Sequence, residues 1–202
     1  LKGLEKDLSE NNVTTTLDLV FGDIQYGYAI QSAAYLYKRG QGDRYKEIAM
    51  TLVDRIIEIF NIVKSTGISD EDLATLQIVE PAFAGGPFLK GCHYLKEAGL
   101  LDQERLATLQ QIGEAMVRYM YRLPEWGGFN RCALRFMSLL RFAQLFPESV
   151  EAGKAGKLAH MLAEESLGRW TIEDTAFYNG IWLSCLVEYL YETGKWNARI
   201  ET

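Results

Sequence analysis

The chain has 202 residues, 48% of them hydrophobic, 24% charged and 12% aromatic, with a net charge of −6 at neutral pH. That is enough chain for a sizeable core in one domain or two very small ones, and it excludes a disordered chain, while four prolines exclude Pro-rich and collagenous classes. The acidic balance argues against a dedicated nucleic-acid binder.

No run of about 18 uncharged apolar residues occurs, so no membrane span is expected. The opening LKGLEKDLSE lacks the apolar core of a signal peptide. Because the chain starts at Leu1 rather than Met, it is read as a processed product or a piece of a longer chain, and the missing signal says little about export.

Helical periodicity runs through almost every long segment and alternating β-branched runs are missing, which predicts an all-α protein. An N-terminal extension over 1–14 is expected to precede one helical domain over 15–202. Helices are predicted at about 15–39, 43–65, 87–98, 103–122, 129–146, 149–166 and 173–193. Gly40, Gly42, Gly99, Pro147 and Gly194 are suited to close helices, and Asp43, Asp102 and Ser149 to cap their starts.

An internal repeat emerges at the helix ends. Tyr35-Leu36-Tyr37-Lys38-Arg39-Gly40, Tyr94-Leu95-Lys96-Glu97-Ala98-Gly99 and Tyr189-Leu190-Tyr191-Glu192-Thr193-Gly194 align on Tyr-Leu and Gly, with Gln144-Leu145-Phe146-Pro147-Glu148 as a degenerate copy. The spacing of about 50 residues is the length of a helical hairpin. The helix ending in the signature is apolar nearly all round, as in Phe177 to Val187, which predicts burial on both sides; the helix that follows is amphipathic. Alternating helices of these two kinds predict an incomplete (α/α) toroid of about four hairpins, with parallel apolar inner helices and amphipathic outer ones. Four hairpins leave an open edge for a second copy or a missing domain to cover.

Parallel inner helices bring their N-termini to one mouth. The segments leading there are Phe21-Gly22-Asp23, Phe83-Ala84-Gly85-Gly86-Pro87-Phe88, Trp126-Gly127-Gly128-Phe129-Asn130-Arg131 and Gly168 to Asp174. Glycines admit a ligand close to the backbone, aromatic faces stack on sugars, and helix N-termini favour anions. Arg131, Arg135, Ser138 and Arg141 form a stripe on one apolar helix, read as a solvated or salt-bridged face in which Arg131 alone stands near the mouth. Tyr178, a turn inside the last helix, is the candidate acid or base if a cation lowers its pKa.

Cys92, Cys132 and Cys185 lie in apolar runs and read as small buried hydrophobes; His93 and His160 read as structural. No metal motif, P-loop or dinucleotide fingerprint is present, so no cofactor is expected.

The run Trp126-Gly-Gly-Phe-Asn130-Arg131, the helix ending Leu145-Phe146-Pro147-Glu148, and Glu173-Asp174-x-x-x-Tyr178-Asn179-Gly180-Ile181-Trp182 resemble the helical domain of heparinase II/III-like and alginate-lyase-like polysaccharide lyases. The resemblance implies β-elimination on a uronic-acid-containing polysaccharide, and so an acidic polysaccharide or oligosaccharide as partner. It implies Asn130 as neutraliser of the uronate carboxylate with Arg131 in support, Tyr178 as acid or acid/base, Trp126 and Trp170 as sugar platforms, and Asn179 as a further substrate contact. It also implies a secreted or periplasmic setting. The pattern departs from these lyases in having no His at the mouth and no following β-sheet domain.

Two other readings stay open. A toroid glycoside hydrolase needs a carboxylate pair, for which Asp23, Glu125, Glu173 and Asp174 are the mouth-side candidates. A non-catalytic helical-repeat module would bind carbohydrate or protein on its concave face.

Overall fold

The described residues form eight helices: α1 Thr16–Lys38, α2 Asp43–Ser65, α3 Asp70–Thr75, α4 Gly85–Glu97, α5 Gln103–Arg122, α6 Asn130–Leu145, α7 Ala152–Leu167 and α8 Ala176–Glu192. The structure, a computed structural model, describes residues 16–169 and 175–196, with side chains from residue 25 onward, and these residues contain no strand. The all-helical expectation therefore holds. The short helix α3 lay outside the predicted elements, although Ser69 accepts the Asp72 amide at 3.1 Å as a true N-cap ahead of three acidic residues.

Two other starts differ from expectation for local reasons. Helix α4 begins at Gly85, which puts Pro87 in the first turn, where its missing N–H leaves no bond unmade. Ser149 takes the Glu151 amide at 3.2 Å in a turn, so α7 proper begins at Ala152. Asp102 caps α5 as expected, accepting the Arg105 amide at 2.8 Å.

The repeated signature has a physical basis. In three copies the residue after the glycine donates its N–H to the carbonyl of the signature leucine: Gln41 to Leu36 at 3.0 Å, Leu100 to Leu95 at 3.0 Å and Lys195 to Leu190 at 2.9 Å. Gly40, Gly99 and Gly194 supply the left-handed residue that this Schellman closure requires, with φ of 73°, 68° and 69°.

Helices α1, α4, α6 and α8 pack each on the next, while α2 covers α1, α5 contacts α2 and α6, and α7 covers α6 and touches α8. Pairings along α1 and α4 rise together: Gly27 meets Ala84, Ile30 meets Gly91, Tyr35 meets Tyr94 and Lys38 meets Glu97. These two helices run parallel. So do α4 and α6, with Gly85 against Ser138 and Lys96 bonded to the Leu145 carbonyl at 2.8 Å. By contrast α7 and α8 are antiparallel, since Ser166 meets Trp182 and His160 meets Tyr189.

Close approach of α1 and α4 depends on Gly91. A Cβ there would lie 2.6 Å from Ile30 Cγ2 and 2.8 Å from the Gln31 amide nitrogen. The second layer is tied across by Arg105, whose guanidinium forks onto the Asp54 carboxylate at 2.7 and 3.1 Å.

Burial of α8 corrects the expectation of a helix covered on both sides. Cys185, Leu186, Tyr189 and Leu190 are buried, but Phe177 is 72% exposed, Tyr191 78%, and Leu183 and Val187 also face outward. Apolar residues all round a helix report burial only when another layer is there to receive the second face.

Candidate functional site

The four helices α1, α4, α6 and α8, each packed on the next, border a cleft of about 520 Å³. Helix α1 contributes Tyr28 and Gln31, α4 Gly86 and Pro87, α6 Leu134, Met137 and Arg141, and α8 the face from Ala176 through Ser184 and Cys185 to Glu188. Gly86, Pro87, Ala176 and Phe177 belong to the first turns of their helices, so two helix N-termini open on the cleft and lend it positive potential.

Local structure places these groups. Glu80 accepts the Ala82 amide at 3.1 Å and also the Phe83 amide, pinning the segment that leads into α4. Gly27 admits that segment against α1, since a Cβ there would stand 2.7 Å from the Ala84 oxygen. On the far side, Gly85 fits against Ser138 and Met116.

Arg141 is the dominant charged group. It is only 5% exposed, its Nη2 bonds Glu188 and lies 3.7 Å from Glu192, and its Nη1 is buried with no hydrogen-bond partner. Burial pushes the Tyr28 phenol above its usual pKa, and the negative charge of the Glu80 carboxylate acts in the same direction. Tyr28 is therefore a protonated donor at neutral pH. Burial likewise pushes Cys132 and Cys185 up to about 12, so neither is a ready nucleophile.

Next to the cleft, one helical turn further along, a second cavity of about 330 Å³ is lined by Leu89, Lys90, His93, Arg141, Gln144 and Glu192. The two cavities share Arg141.

The sequence-predicted residues occupy varied places. Asn130 is the first residue of α6 and 5% exposed. It lies four residues before Leu134, on the helix face that turns to the cleft. Tyr178 follows cleft-lining Phe177 but is 42% exposed rather than buried, and its ring meets that of Phe177 edge-on. Arg131 is engaged by Glu125 at 2.7 Å, and Arg135 lies 3.3 Å from the same carboxylate. Trp126 stands half-exposed in the loop before α6, and Asn179 is partly buried on α8. Trp170, Glu173 and Asp174 lie outside the described residues, and the Asp23 side chain is likewise not described.

The arginine stripe is corrected in part. Arg135, Ser138 and Arg141 are buried, so the stripe faces inward and is salt-bridged, not solvated. Apolar neighbours on both flanks were the signal that this face points to the core. Sequence reasoning singled out Arg131 and missed Arg141, Tyr28, Gln31, Ser184 and Glu188; it also set aside His93, which lines the second cavity.

The loop before α6 is anchored by a chain of hydrogen bonds. Trp182 Nε1 donates to Ser166 Oγ at 2.9 Å, and Ser166 donates to the Gly127 carbonyl at 3.1 Å. Gly127, at φ 130°, takes a conformation that L side chains rarely adopt. Among the described residues, no three His, Cys, Asp or Glu are placed to hold a metal, and no helix is long and apolar enough to cross a membrane.

Compared with family models, with curated proteins and with solved structures, the chain matches none of them.

Proposed function

We propose that this chain forms an incomplete α/α toroid with α1, α4, α6 and α8 as its inner helices, and that its cleft takes a unit of an acidic polysaccharide for β-elimination. The observation that carries the reading is the convergence of four parallel-layer helices on one cleft with two helix N-termini at its opening. Its walls suit a sugar: Tyr28, Pro87, Phe177 and Ile181 offer apolar faces, and Gln31, Ser184 and Glu188 offer hydrogen bonds.

In this mechanism the uronate carboxylate sits at the mouth, where Asn130 supported by Arg131 and the helix N-termini offset the charge that develops as the C5 proton leaves. Tyr178 takes that proton, the C5–H electron pair becomes the C4–C5 double bond, and the C4–O bond breaks. The leaving oxygen receives a proton from Tyr178, or from Tyr28, which burial keeps protonated. Trp126 and Asn179 border the path of the chain as sugar contacts, and the resemblance assigns Trp170 the same role.

Hydrolysis has less support, since it needs a carboxylate pair and Glu188 is the one carboxylate that lines the cleft among the described residues. Incubation with alginate, heparin and hyaluronan is expected to release unsaturated uronate with its ultraviolet absorbance, and Tyr178→Phe to remove that signal. Reducing ends without the chromophore would contradict elimination, and full activity in Tyr178→Phe would contradict the role of Tyr178.

A further inference from the structure

The second cavity carries features that the cleft does not explain. Lys90 Nζ bonds Glu192 Oε1 at 2.6 Å and lies 3.8 Å from Glu188, while Arg141 bonds Glu188 and approaches the same Glu192 oxygen. Two cations and two carboxylates thus balance. Within this balanced cluster, Arg141 Nη1 and Glu192 Oε2 are both buried without a hydrogen bond of good geometry, the Glu192 carboxylate being approached besides only by the Gln144 amide. Both residues line the cavity, and both are polar groups whose burial is costly unless a partner completes them.

We infer that this cavity is a binding subsite for a single neutral sugar unit, with one hydroxyl accepting from Arg141 Nη1 and a neighbouring hydroxyl donating to Glu192 Oε2. Charge selects the class. The formal charges of Lys90, Arg141, Glu188 and Glu192 already cancel, so a net-charged ligand would bring an uncompensated charge into a low-dielectric site. What remains is hydrogen-bonding capacity of both kinds, which a polyol matches. Leu89 supplies an apolar wall for the C–H face of the ring, and Gln144 and His93 stand at the more exposed side. The volume of about 330 Å³ gives room for a ligand as small as one hexose.

This inference rests on the carbohydrate reading of the molecule but not on elimination, nor on the occupancy of the larger cleft. The test titrates the full chain with glucose, galactose and mannose, with alanine as zwitterionic control, and with an alginate tetrasaccharide, by saturation-transfer NMR and calorimetry. At least one hexose is expected to bind in the millimolar range, with alanine inert. Gln144→Trp, which fills the second cavity, is expected to weaken the hexose about tenfold and to leave the tetrasaccharide unchanged. Glu192→Gln, which turns the second carboxylate oxygen from an acceptor into a donor once Lys90 takes the amide oxygen, is expected to weaken the hexose by about the same factor.

Gly180→Trp fills the larger cleft from a position where a Cβ meets nothing within 4 Å, and it is expected to leave hexose binding intact. Circular dichroism melts report whether each variant is folded. No hexose binding to the folded wild-type chain, tighter binding of alanine, or hexose loss in Gly180→Trp alone would overturn the inference. Loss of tetrasaccharide binding with hexose binding retained would instead count against the proposed function and leave this subsite standing.

Discussion

Lys90 Nζ donates to Glu192 Oε1 at 2.6 Å across 102 residues of sequence, joining α4 to α8 through the space that α6 also borders. Burial opposes ionisation of Glu192, but the Lys90 hydrogen bond, the Arg141 and Lys90 charges and a hydrogen bond from Gln144 outweigh it and hold the carboxyl below its ordinary 4.5. A carboxyl with a lowered folded pKa stabilises the fold fully above its unfolded value and loses that contribution as pH falls through the folded one. Glu192→Gln is therefore expected to lower stability by about 1.5–3 kcal/mol at pH 7, with the gap from wild type closing in strongly acidic buffer. Urea melts at the two pH values check this; an equal gap at both would contradict it.

Helix contact through glycine makes a second expectation. At Gly91 the obstruction is the Ile30 side chain together with the backbone of Gln31, and backbone cannot step aside. Gly91→Ala should cost about 1–3 kcal/mol by overpacking, despite the gain in helix propensity. Gly153→Ala, where a Cβ meets nothing within 4 Å on a helix, should be neutral or stabilising. Thermal melts of the pair give the comparison, and the same sign for both would contradict the packing account.

The signature tyrosine of α8 is a buried ring with a bonded hydroxyl. Tyr189 Oη lies 2.8 Å from His160 Nδ1 and 3.1 Å from Lys195 Nζ, and Lys195 bonds Glu164 at 2.7 Å. Tyr189→Phe keeps the ring against Phe136 but leaves these groups short of a partner. A loss of about 1–2 kcal/mol is expected by chemical denaturation. Tyr189→Leu should lose more, because the aromatic contact goes as well.

Outward apolar residues on α8 give the next expectation. Leu183, Val187 and Tyr191 sit on a helix face with no covering layer among the described residues. Leu183→Lys with Tyr191→Lys should change stability by less than about 0.5 kcal/mol each and raise solubility. A cooperative loss of fold would mean that this face is packed in solution.

These particulars mark what the sequence could convey. Long amphipathic runs and the Tyr-Leu-x-x-x-Gly endings placed seven helices, because a helix end closed by a left-handed glycine is a local event written in local residues. Arg141 was not legible as a cleft residue. Its value depends on α8 passing 47 residues later with Glu188 at the right height, a tertiary fact that no spacing on α6 encodes. Tyr178 illustrates the converse, since an apolar surrounding in sequence implied burial while the folded helix leaves that edge open.

The central claim, that the space between α1, α4, α6 and α8 takes an acidic saccharide, is tested most directly by calorimetric titration of wild type and Gly180→Trp with an alginate tetrasaccharide. Binding by wild type, and a loss of about tenfold or more in the folded variant, is the predicted result. Equal affinity in the two proteins, or no binding by either, would contradict it.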